Sequence, residues 1–328
     1  MPPQFTMQIT YRITLGSHSF SADRGSPLLD LRVESSLTVP VNEAVLTLNA
    51  VEPIPLKLGD PVTVDLGYGK NLARVYSGTL SAITRGIDRV CIESHSRFRG
   101  LAQAHFNLLY EKSTAGDIVK DLAQRLKLTV GTVESGLKFP AYALGDHRSA
   151  YAEARSLADL CGFDLYANPQ DQVVFAPYKS GTPQECRYGT DLLAYHRTAQ
   201  PPLPDGLEVY GESPASQGQG EQAASWLTKE EVRGRAGKTA GVVVRRAEPT
   251  ARSQNLADQI AKALFKAQAK QQQGWVRILG NPQVTLGGAL KITQMPLTAD
   301  NGTFKVTGLR HQISRRQGFC TTVNWEGS

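Results

Sequence analysis

The sequence predicts a mainly β protein (β+α), with two similar β-barrel domains from an internal duplication and a small α/β domain inserted between them. Three observations carry this. The C-terminal stretch 281–325 alternates apolar and polar residues between turn signals, as a β-meander does. Residues 56–94 echo that pattern. Between the two, from about Gly100, the apolar spacing lengthens to that of helices.

Residues 7–20 are expected to form a hairpin turning at Gly16-Ser17. Two strands follow within 28–50: Leu29, Leu31 and Val33 alternate in one, and Val45, Leu46 and Leu48 follow Pro40 in the other. With the meander at 56–94 they make an all-β first domain, 1–103, suited to a barrel or sandwich. The inserted α/β domain is expected at 104–180. Thr114-Ala115-Gly116-Asp117 reads as a capping box with Asp in place of Glu, and Ile118, Leu122 and Leu126 then share one helix face. Leu128 to Val133 is a strand. Ser149 to Leu160 is a second helix stopped by Gly162. Phe163–Tyr166 and Val173–Phe175 pair across Asn168-Pro169-Gln170-Asp171.

The second barrel is expected over 181–328, with strands at Leu192–Tyr195 and Leu207–Tyr210. Residues 212–241, rich in Gly, Ser, Gln and Ala, read as a mobile arm. Its one aromatic residue, Trp226, either docks on another chain or packs on its own barrel. Trp226, Arg233, Arg235 and Lys238 are the candidate interface residues. A long helix is predicted over 253–273, with Leu256, Ile260 and Leu264 on one stripe and Gly274 ending it; such a helix lies on a β surface with its polar side in solvent. In the closing meander, Asp300-Asn301-Gly302 is a turn and the parity flip past Gly308 marks a β-bulge. The echo pairs Leu58-Gly59 with Leu286-Gly287, Val62 and Val64 with Leu290 and Ile292, Gly78 and Ile83 with Gly308 and Ile313, and Val90-Cys91 with Phe319-Cys320.

Composition is that of an ordinary globular protein: 328 residues, 41% hydrophobic and 20% charged, with a net charge of +6. No apolar run is long enough to span a membrane, and no secretory signal is visible. The four cysteines lie far apart without a CxxC, and the six histidines lack metal-ligand spacing, so neither a metal nor another cofactor is expected. Gly237-Lys238-Thr239 has the end of a phosphate-binding loop, but Val232 stands where its first glycine belongs. There is no HExxH or GxSxG, and the acidic residues Glu153, Asp159 and Asp164 sit in helix and strand positions usual for solvated carboxylates. No catalytic constellation emerges, and no enzyme is expected. Basic residues are scattered without interleaved aromatics, which disfavours a nucleic-acid-binding module.

Four stretches resemble the baseplate hub proteins of contractile-tailed phages, the late control D protein family, whose module also forms the hub part of VgrG-type spike proteins. Ser113-Thr114-Ala115-Gly116-Asp117-Ile118-Val119 is similar to the family's "TAGDIV" helix start. Residues 156–163 through Val174-Phe175-Ala176-Pro177 resemble its "LA…G…LVF.P" segment. The helix at 253–273 leading into Gly280-Asn281-Pro282, and Gly302-Thr303-Phe304-Lys305-Val306 to His311, resemble its later segments. The sequence departs from the family at Asp146-His147-Arg148-Ser149, where an acidic "ES" is common. The resemblance implies a structural protein of the virion tail baseplate, made in the host cytoplasm. It implies a homotrimeric ring adapting a hexameric tail tube to a trimeric spike, in a phage or a phage-derived injection system. Partners would be the tail tube protein, the central spike protein, other baseplate proteins and a tape measure protein, with DNA only in transit through the channel. The chain stops at Ser328, so the spike is expected to be a separate polypeptide. A cell-wall hydrolase with β-rich accessory domains is the alternative of a different class, and it requires a carboxylate pair in a cleft.

Overall fold

The computed structural model describes residues 8–22, 26–49, 55–201, 204–211, 232–268 and 272–327. The first β half holds β1 (Ile9–Leu15), β2 (His18–Ser21), β3 (Leu28–Ser36), β4 (Glu43–Asn49), β5 (Pro61–Tyr68), β6 (Asn71–Arg85) and β7 (Arg89–His95). The α/β segment follows with α1 (Arg99–Gln103), β8 (Leu108–Thr114), α2 (Ala115–Arg125), β9 (Thr129–Val133), β10 (Lys138–Leu144), α3 (Ala150–Cys161), β11 (Phe163–Ala167) and β12 (Gln172–Pro177). Then come β13 (Gln184–Arg187), β14 (Leu192–Ala199), β15 (Gly206–Tyr210), β16 (Arg233–Gly237), β17 (Val243–Ala247) and α4 (Gln254–Gln268). The chain closes with β18 (Gln272–Leu279), β19 (Ala289–Thr293), β20 (Gly302–Ser314) and β21 (Gly318–Gly327).

Local chemistry explains the helix ends. Thr114 accepts the Asp117 N–H while the Asp117 carboxylate accepts the Thr114 N–H, a complete capping box. Ser149 caps α3, and Gly162 ends it in the left-handed conformation, φ 68°. Asp171 closes the β11–β12 turn at φ 59°, and its buried carboxylate accepts from the Arg97 backbone at 3.0 Å, tying the α/β segment to the end of β7. Asn42 donating to the Ala167 carbonyl (2.9 Å) and Lys305 bonding Asp164 (2.6 Å) fasten the same segment to both β halves.

The large sheet has thirteen strands, in the order β14-β18-β21-β20-β3-β4-β7-β6-β5-β1-β2, with β19 paired to β20 and β13 to β19. It encloses two hydrophobic cores. One centres on Ile13, Leu31, Leu46, Val64, Tyr76 and Ile92. The other centres on Val276, Leu290, Ile292, Val306, Val323 and Trp325, whose indole packs 4.2 Å from the Phe304 ring. Where β20 ladders with β3, Gly308–Ser314 against Ser36–Asp30, the two halves become one sheet.

The strand order of one half recurs in the other: β3-β4-β7-β6-β5-β1 against β14-β18-β21-β20-β19-β13. Only the last strand differs, since β1 runs antiparallel to β5 and β13 parallel to β19. The irregularities recur as well. Leu29 in β3 and Leu193 in β14 are each skipped by the ladder, as are Ser81 in β6 and Thr307 in β20. Gly59 donates to the Leu80 carbonyl and Leu80 to that of Asp60, both at 2.8 Å; Gly287 and Val306 bond in the same pattern, at 3.0 and 2.9 Å. Leu58-Gly59, Val62 and Val64 thus hold the same ladder places as Leu286-Gly287, Leu290 and Ile292. The other sequence matches do not. With Thr307 skipped, as expected near Gly308, the counterpart of Gly308 is Ala82 rather than Gly78. Cys91 corresponds to Thr322 rather than Cys320, since Cys91 opposes Thr84 and Thr322 opposes Arg310. The two glycines coincide in the pattern for unrelated reasons: Gly78 clears the Tyr76 ring, whereas Gly308 clears the Asn324 side chain.

Three expectations need correction. The arm 212–241 does not extend to 241, because Arg233–Gly237 is a strand and Val232 is buried in a core; residues 212–231, Trp226 among them, lie outside the described residues. The long helix ends at Gln268, and Gln272 already begins β18. Gly274 is no helix stop: a Cβ there would strike the Trp325 ring and the His196 carbonyl, so the glycine lets the tryptophan lie across the strand. α4 does lie on a β surface, that of β15 and β16, but its stripe of Leu256, Ile260 and Leu264 joins Leu207 and Val209 in the core of the α/β segment rather than that of the second β half.

Candidate docking surface

β15 is the middle of a three-stranded sheet, antiparallel to β16 and parallel to β17. Strand periodicity divides its residues. Leu207 and Val209 point into the core beneath α4, while Glu208 and Tyr210 point the other way. The register places Arg235 and Arg245 directly beside Glu208, and Arg233 beside Tyr210, so these five side chains share one face. Arg233 donates to Glu208 Oε2 at 2.6 Å, Arg245 at 3.2 Å and Tyr210 Oη at 3.2 Å; Arg235 lies 3.4 Å from Oε1. The Arg233 guanidinium also sits 5.0 Å over the Tyr210 ring.

One carboxylate therefore gathers three guanidinium groups. The Arg233 hydrogen bond, with those of Arg245 and Tyr210, pulls the Glu208 pKa down to about 2. Among the described residues this face gathers three guanidinium groups around one carboxylate, and Arg235 and Arg245 are half or more exposed. Planar donors in that array suit carboxylates or phosphates of a partner.

Of the four candidate interface residues, Arg233 and Arg235 meet at Glu208. Lys238 stands apart, 3.7 Å from Asp205 at the mouth of the same sheet. Trp226 is not described. Glu208, Tyr210 and Arg245 were missed by sequence reasoning. Their signal was present: Glu208 interrupts the apolar run Leu207-Glu208-Val209, and Arg245 belongs to a basic pair. The motif Gly237-Lys238-Thr239 begins on the last residue of β16 and leads to β17, so no helix follows it as a phosphate-binding loop requires.

A second concavity, about 600 Å³, opens where the halves join and is lined by Glu34, Glu43, His95, Arg99 and Arg310. Glu34 and Glu43 oppose each other across β3 and β4. Both face arginine: Glu34 lies 2.7 Å from Arg310 and 3.2 Å from Arg32, and Glu43 lies 3.5 Å from Arg32, with the His95 imidazole also at 3.5 Å. Of the helix carboxylates, Glu153 is buried beside Arg148 (3.4 Å) and Tyr142 (3.2 Å), and Asp159 pairs with Arg155. These are contacts of packing, and none leaves a carboxylate facing a cleft without a cation. Among the described residues no three His, Cys, Asp or Glu side chains converge as metal ligands, and no helix is long and apolar enough to cross a membrane.

No protein-family model and no curated protein matches the chain. Solved structures do. The 43 kDa tail protein of prophage MuSo2 from Shewanella oneidensis matches with a TM-score of 0.69 at 10% identity, covering 96% of this chain and 98% of that one. The tail protein from Neisseria meningitidis MC58 matches with a TM-score of 0.72 at 10% identity, covering 98% and 97%. The E. coli c3393 protein is described as a type VI secretion component with structural similarity to the T4 bacteriophage tail proteins gp27 and gp5. It matches with a TM-score of 0.57 at 11% identity, covering 93% of this chain and 76% of that one. The chain has the fold of these tail and type VI secretion proteins over nearly its whole length.

Proposed function

We propose that this chain is the baseplate hub subunit of a contractile tail, in a phage or a phage-derived injection system, and that three copies form a ring joining a hexameric tube to a trimeric spike. The observation that carries this is the strand order that recurs in the two β halves, within a fold shared with tail proteins over 96% or more of the chain. A duplicated barrel gives each subunit two similar units. Three subunits then present six near-equivalent positions, which is what a trimer needs to meet a sixfold tube. The work of such a ring is mechanical: it holds a channel open for DNA or effector transit and carries out no bond chemistry. The arginine face around Glu208, with Lys238, is the surface we assign to docking of another baseplate component, and Trp226 is a docking candidate from the sequence alone.

The deciding measurement is the copy number in assembled tails, by electron cryomicroscopy or native mass spectrometry; any number other than three refutes the ring as proposed. Purified protein is expected neither to clear peptidoglycan nor to hydrolyse nucleotides. A rate abolished by a single Asp, Glu or His substitution, Glu34→Gln or Glu43→Gln first among them, would overturn the structural reading in favour of a hydrolase.

A further inference from the structure

The junction between the two halves is a template for how a further copy attaches. Within the chain, β19 covers the start of β20 at Gly302–Lys305, and β3 then takes the same flank at Gly308–Ser314. The counterpart of β20 is β6. There β5 covers Asn71–Thr79 and Asp60 bonds Leu80, after which Ala82–Arg85 has β7 on one flank and, among the described residues, no strand on the other. The counterpart of β3 is β14, which ends the sheet and ladders with β18 alone among the described residues.

We infer that β14 of one copy fills the open flank of β6 in the next copy, as β3 fills that of β20 within the chain. This deepens the ring reading above and rests on it. Carrying over the register of the internal junction sets Thr198 against Thr84, where Glu34 opposes Arg310, and Ala199 against Ile83, where Ser35 opposes Leu309. Arg197 comes opposite Arg85, but the Arg197 charge is already held by Asp300 at 2.7 Å.

A separate observation meets this one. The turn that follows β20 lies against the skipped residue of β3, so that Leu29 and Asp30 share a shallow concavity with Ser314, Arg315, Arg316 and Gln317. The corresponding turn after β6 carries Ile87, fully exposed at 103%, and the corresponding skipped residue, Leu193, is 52% exposed. Each is an apolar side chain in water within the single chain. The transferred register brings the two together across the junction, where each covers the other. Two different edges meet, so the contact is heterologous and closes into a ring when the rotation per copy divides a full turn. Every chain then supplies one internal and one external junction of the same kind.

Thr84→Cys with Thr198→Cys tests it, in a Cys91→Ser background because Cys91 opposes Thr84 within the chain. Antiparallel partners lie about 4.5–5.5 Å apart at Cα, within disulfide reach. Oxidised at high protein concentration, the double variant should give a covalent ladder ending at the ring size. Either single variant should give no cross-link, and an equal mixture of the two should stop at dimers. Ile87→Asp or Leu193→Asp should weaken association about tenfold or more while leaving the melting temperature of the monomer unchanged. No cross-link in the double variant, or a dimer from one single variant alone, overturns the junction. A ladder ending at a number other than three upholds the junction and overturns the trimer. A trimer by native mass spectrometry without the 84–198 cross-link does the reverse.

Discussion

His311 is 3% exposed, with Nδ1 3.0 Å from Thr321 Oγ1. Burial strips water from the imidazolium and pushes its pKa down to about 4, against 6.5 for the free ring. The unfolded chain therefore takes up the proton first. Stability should be intact above pH 6.5 and fall between 6.5 and 4, by up to about 1.4 kcal/mol per pH unit. His311→Gln should flatten that decline in denaturant titrations run across the window; an unchanged slope would assign the acid sensitivity to other groups. Thr321 keeps a partner in that variant, since it also accepts the Asn281 N–H at 2.9 Å. Gly274 is the second residue whose place decides stability. Gly274→Ala sets a methyl group against the Trp325 ring and the His196 carbonyl and should cost about 1–3 kcal/mol, seen as a lower melting temperature. The sequence marked His311 as a packed or rim histidine, because a lone histidine between Leu309 and Ile313 sits on an apolar strand face. It misread Gly274 as a helix stop, because the residue that needs the space, Trp325, lies fifty-one positions away.

At the scale of elements, the three-stranded sheet carries its own test. Glu208→Gln removes an anion that three arginines share. Hydrogen exchange in β16 and β17 should quicken, while β3, β4 and β7 stay protected; unchanged exchange in β16 would show that α4 alone holds the sheet. The capping box makes a smaller claim: Thr114→Ala should cost about 1 kcal/mol, read from thermal unfolding. The caps of α2 and α3 were legible because capping is a contact between residues three apart. β16 was not legible. Its core-facing residues are Gly234, on which the α4 backbone at Ala257 lies directly, and the small Ala236, so the strand shows no apolar alternation. The arginine face was half legible for a related reason. Arg233 and Arg235 are neighbours in sequence, but Glu208 and Arg245 join them only through pairing across β15.

For the whole molecule, the docking role proposed for the Trp226 segment is tested by deleting 213–231 and weighing the assembled particle. The deletion has to stop there, because Val232 and β16 belong to the α/β core. A particle that still binds tube and spike would make the segment dispensable; loss of one partner with the ring intact would locate that partner's site. By itself the sequence determined the mainly β class, the α/β segment with its helix starts, and the echo between two meanders. These are written in periodicity, caps and turns, which act over a few residues. Only the tertiary structure decided the true register of that echo, because skipped residues such as Ser81 and Thr307 shift the pairing without leaving a mark in composition. It also decided which core α4 serves, which charges meet at Glu208, and that the two halves share one sheet through β20 and β3. Each of these depends on backbone hydrogen bonds and packing between residues far apart in the chain, and a backbone hydrogen bond carries no residue identity by which a sequence could announce its partner.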